Sequence, residues 1–160
     1  MTNPLLTTAD LPRYAAIRPE HIEPAIDRVL TDNRVELERL LAAHHTYTWD
    51  NLIQPLEELE DRLNKAWSPV NHLHSVRDSE DLRAAYNACL PKLSAHYTEL
   101  GQHEGLYQAY RQIADGPEYP RLDPAPIRRG RSRCRRHSCA ARHRRGSLPD
   151  RQRAACRGRR

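Results

Sequence analysis

Residues 19–41 read PEHIEPAIDRVLTDNRVELERLL. Ile22, Ile26, Val29, Leu30, Leu37, Leu40 and Leu41 recur at steps of three and four, which places them on one face of an α-helix. Pro19 suits a first helical turn, where its missing N–H costs nothing, and Glu20 complements the positive end of the helix dipole. Asn33 interrupts the apolar stripe. The pattern predicts a helix from about Pro19 to His44–His45.

Two further segments repeat this period. YTWDNLIQPLEELEDRLNKAW, residues 47–67, predicts a second helix with Thr48 as its cap and Asp50 in its first turn. Pro55 lies too deep for a first turn, so a short turn followed by a kink or restart is expected there. Leu56, Leu59, Leu63 and Ala66 form the apolar face. Residues 68–78, SPVNHLHSVRD, read as a connection with some helix in it. Ser79 caps a third helix carrying Leu82, Tyr86, Cys89, Leu90, Leu93, Tyr97 and Leu100, which Pro91 should bend. Gly101 and Gly105 mark a break or a close approach, LYQAYRQIA resumes the helix, and DGP at 115–117 ends it. Residues 1–18, punctuated by Pro4 and Pro12, read as extended. No run alternates with period two, so the fold class is all-α: several long antiparallel helices.

The pattern stops near Pro126. Residues 1–126 carry 12 Lys and Arg against 20 Asp and Glu, whereas residues 127–160 carry 14 Arg against the single acid Asp150. With Ile127 and Leu148 as its large aliphatics, the second segment has too little to bury to offset its ordering entropy, and it reads as a disordered tail. Its charge would attract polyanions non-specifically and with steep salt dependence. No aromatic residue interleaves to stack on bases.

Lone Cys89 in residues 1–126 excludes a disulfide framework and favours a reducing, cytoplasmic setting. The start MTNPLLTTADLPRY lacks the basic n-region and apolar core of a signal peptide, and no stretch approaches a membrane span.

Candidate chemistry is sparse. His103-Glu104 invites comparison with His-Glu-x-x-His, which sets two zinc ligands on one helical face beside a general base. The fourth position is Tyr107, so the motif is absent. His72 and His74 would diverge on a helix and have no visible third ligand. Glu57, Glu58, Glu60 and Asp61 read as a solvated helix face rather than a metal site. Cys134, His137, Cys139, His143 and Cys156 fit no standard zinc spacing. No catalytic, cofactor-binding or metal residue is assigned.

A resemblance adds to this reading. LPRYAAIRPEHIEPAI, YTWDNLIQPLEELEDRL, SPVNHLHSVRDSEDLRAAYNACLPKLS and GQHEGLYQAYR, with the start MTNPLL, resemble the N-terminal part of the thimet oligopeptidase family of zinc metallopeptidases, from Met1 to about Pro124. The resemblance implies that these helices form part of the wall of a deep channel that admits short unstructured peptides. It also implies a zinc held by His-Glu-x-x-His and a later glutamate, well beyond residue 160, so none of those residues transfers to a position here. The expectation is a helical segment at 1–126 that is inactive alone, followed at 127–160 by a tail out of frame. Arg, Cys, His, Gly, Ser and Ala are what GC-rich codons yield in a shifted frame, and 10 Arg against 2 Lys in residues 1–126 fit a GC-rich gene. Two other readings stand beside this one: a small helical protein with an arginine-rich nucleic-acid arm, and a stand-alone helical interaction module.

Overall fold

The computed structural model describes residues 3–7 and 11–116. The chain divides into two units, Met1–Thr98 and Glu99–Arg160. The reading of residues 127–160 as a disordered tail lies outside the described residues.

The first unit is built on three helices: α1 (Pro19–Ala43), α2 (Gln54–Val76) and the greater part of α3 (Glu80–Gln102). No strand occurs among the described residues, in agreement with the all-α pattern. Ile22, Ala25, Ile26, Val29 and Leu30 of α1 pack with Leu63, Ala66 and Val70 of α2 and with Leu82, Cys89 and Leu93 of α3. Ile22, Ile26, Leu63, Val70 and Cys89 are fully buried. Truncating Ile26 to alanine would remove packing at the centre of this cluster and cost about 2–5 kcal/mol.

The described part of residues 1–18 is not simply extended as expected: it contains two short 3-10 turns, Pro4–Leu6 and Tyr14–Ala16. Asn3 ties the first turn to α1: its side-chain amide donates to the carbonyl of His21 at 2.7 Å, and its Oδ1 accepts from the N–H of Leu5 at 3.0 Å. Leu5 thereby joins the core. At the start of α1, the N–H of Arg18 donates to Nδ1 of His21 at 3.2 Å. At its end, the Tyr47 hydroxyl donates to the carbonyl of Leu41 at 2.8 Å, one of the four carbonyls a helix terminus leaves without an internal partner.

Thr48 caps the next element as its sequence position predicts. Its hydroxyl accepts from the N–H of Asn51 at 3.2 Å, and its own N–H donates to Oδ1 of Asn51 at 2.8 Å. The turn it opens, Trp49–Ile53, is π-helical. Pro55 explains this: it has no N–H to reach back four residues, and the N–H of Gln54 reaches five residues back to Trp49 instead. Regular α2 restarts with Pro55 in its first turn, which is the restart expected.

α2 then runs on to Val76, so residues 68–76 are helical and not the connection that was expected. Pro69 withholds one hydrogen bond. Both Pro69 and Val70 are nevertheless buried, and Leu73 packs against the core. That burial outweighs the lost bond. Ser79 caps α3, its hydroxyl accepting from the N–H of Leu82 at 3.3 Å, and α3 continues through Pro91.

The second unit begins with the last residues of α3. His103 separates them from α4 (Glu104–Asp115), as the two glycines foretold, and Gly116 closes α4 with its N–H on the carbonyl of Ile113. Leu106, Ala109 and Tyr110 form its buried face.

Candidate functional site

Among the described residues, the histidines that the sequence singled out are His72, His74 and His103, and each makes a structural contact. His103 stands at the head of α4, where Nδ1 accepts from the N–H of Leu106 at 3.1 Å. Glu104, one residue on, accepts from the side-chain amide of Gln108 at 2.8 Å, and Tyr107 holds the position where a second imidazole would be needed.

Because α2 extends to Val76, His72 and His74 lie on a helix, where two residues turn through roughly 200°. They diverge accordingly. His72 meets the ring of Tyr14, with centroids 5.3 Å apart. His74 stacks on Tyr86 at 4.1 Å with the planes 11° apart, and Trp67 stacks on the same tyrosine at 4.8 Å. The Tyr86 hydroxyl donates to Oδ1 of Asn71 at 3.1 Å. These contacts join α2 to α3; they do not gather ligands.

Of the acidic face on α2, Glu58 and Asp61 are exposed and Glu57 and Glu60 half-buried. Asp61 pairs with Lys65 at 2.7 Å, the usual arrangement on a solvated helix. Among the described residues, no three His, Cys, Asp or Glu side chains come together to hold a metal ion. The cysteines and histidines of 134–156 lie outside the described residues.

Cys89 is the thiol of the core. Burial pushes it up to about 11, against the opposing pull of the Lys92 charge. A thiol so held is protonated at neutral pH and is a poor nucleophile.

A groove of about 950 Å³ lies between the N-terminal turns, α1 and α2. Leu5, Ile17, Val29 and Pro69 give it an apolar floor. Its rim carries Arg28, Asp32, Asp61, Arg62 and Lys65, of which Arg28 pairs with Asp32 at 2.8 Å and Asp61 with Lys65. No His, Cys or Glu lines it. Such a groove can accept apolar surface but offers no nucleophile with an adjacent base. The sequence did not disclose it, because one wall comes from Pro4–Thr7, Leu11, Pro12 and Ile17, in a segment that was read as extended. The available signal was the Asn3-Pro4 pair, a turn opener in front of Leu5 and Leu6.

Residues 26–138 match the family described as Neurolysin/Thimet oligopeptidase, N-terminal domain. Oligopeptidase A of Escherichia coli (strain K12) is 51% identical over 125 residues, which cover 78% of this chain and 18% of that protein. Oligopeptidase A of Haemophilus influenzae is 50% identical over 119 residues, 74% of this chain and 17% of that protein. Organellar oligopeptidase A, chloroplastic/mitochondrial, of Arabidopsis thaliana is 35% identical over 124 residues, 78% of this chain and 16% of that protein. The chain spans less than a fifth of the length of these curated relatives. The family match also runs past Pro126 into the arginine-rich segment.

Proposed function

The chain belongs to the neurolysin/thimet oligopeptidase N-terminal-domain family, and from that premise we propose that residues 1–126 are the helical N-terminal part of an oligopeptidase A-like zinc metalloendopeptidase of the cytoplasm. The intact enzyme would hydrolyse short peptides. These helices would contribute wall and shape to its substrate channel, with the zinc and the general base supplied by residues outside this chain. The observation that carries the reading is the 51% identity to an oligopeptidase A, sustained over 125 residues.

Metal-activated water is the chemical engine of such a peptidase. With His103 capping a helix and Tyr107 in place of a second histidine, the 160-residue chain is inactive alone in this reading. Incubating the pure chain with zinc and a short internally quenched peptide should give no chelator-sensitive cleavage. Turnover that a chelator abolishes would overturn the proposal. No helix among the described residues is long and apolar enough to cross a membrane, and membrane binding forms no part of the proposal.

A second reading is favoured by one observation, the 14 arginines crowded into residues 127–160. Such a segment would bind polyanions whether or not it evolved to do so. Under the main proposal this binding ignores nucleic-acid sequence and collapses as salt rises. A preferred RNA or DNA sequence, held at physiological salt, would favour a dedicated nucleic-acid arm instead.

A further inference from the structure

We draw no further inference here: the strongest candidate, the apolar-floored groove between the N-terminal turns, α1 and α2, has rim charges already paired as Arg28–Asp32 and Asp61–Lys65, and nothing in the structure shows what covers it.

Discussion

Lys92 on α3 grips Asp27 on α1 with both carboxylate oxygens, at 2.7 and 2.8 Å, and reaches Glu23 one turn earlier at 2.7 Å. The Lys92 side chain is 32% exposed, so solvent screens the cluster without dissolving it. This bridge ties α1 to α3 through residues more than sixty positions apart in sequence.

The hydrogen bonds to Asp27, and then to Glu23, hold the Lys92 ammonium above the usual lysine range. A group raised in the fold contributes its stability below the unfolded pKa, about 10.4 for lysine, and loses it as pH climbs through the folded value. Lys92→Met keeps the aliphatic stem and removes the charge. It should cost about 1 kcal/mol or less at pH 7, the usual worth of a partly exposed ion pair. Urea melts should show that the gap between wild type and variant narrows above pH 10. A gap that stays constant with pH would assign the loss to packing rather than charge.

Asn33 is 4% exposed, and its amide N–H donates to the carbonyl of Leu59 at 2.9 Å. Its Oδ1 has no protein partner. A buried acceptor without a partner costs about 1–3 kcal/mol, and the Leu59 carbonyl can still accept within α2. Asn33→Leu, with the same number of side-chain heavy atoms and the same branching, should therefore raise the melting temperature of the chain. A fall by several degrees would mean that Oδ1 is satisfied after all, by a bound water.

Cys89 gives a prediction of opposite practical use. Its thiol, pushed up to about 11 by burial, should resist labelling at pH 8 in a variant whose Cys134, Cys139 and Cys156 are changed to serine. Urea should release fast labelling in step with unfolding. Because the unfolded thiol ionises near 8.5, about the usual value, the fold loses stability as pH rises above that point. Rapid labelling of the native variant would show that the α1–α3 core opens locally, well below the cost of global unfolding.

The helices were legible where apolar residues kept a clean period. α1 ends at Ala43, one residue from its expected terminus, with Leu37 and Leu40 still on the buried face. α2 was read nine residues short, since Pro69 resembles a stop and only the burial of Val70 and Leu73 shows why it is not one. On α3 the stripe was partly misplaced. Leu90 and Tyr97 are 42% and 48% exposed, while His96 is buried. The step from Cys89 and Leu93 to position 96 is the correct helical spacing, but it lands on a polar side chain and was passed over. The candidate site fared differently. The contacts of His72 and His74 depend on the tertiary partners Tyr14 and Tyr86, which spacing does not reveal, whereas the cap that His103 gives to Leu106 is local. The groove depends on Pro4–Thr7, Leu11, Pro12 and Ile17 packing beside α1 and α2, for which the local pattern offers only the Asn3-Pro4 turn signal.

The most direct test of the proposal lies in the gene. If residues 127–160 are read out of frame, the nucleotides after the codons for Asp123–Pro126 should, in another frame, restore the three-and-four spacing of apolar residues. That same frame should continue to a His-Glu-x-x-His motif. A genuine boundary between a folded domain and a basic tail also produces the charge reversal and the loss of apolar period, but it does not place helical sequence in a neighbouring frame. The account predicts one long alternative frame with helical period and the zinc motif. Stop codons within a few dozen bases in both alternative frames, with no helical pattern before them, would contradict it and leave the arginine-rich segment as part of the protein's own design.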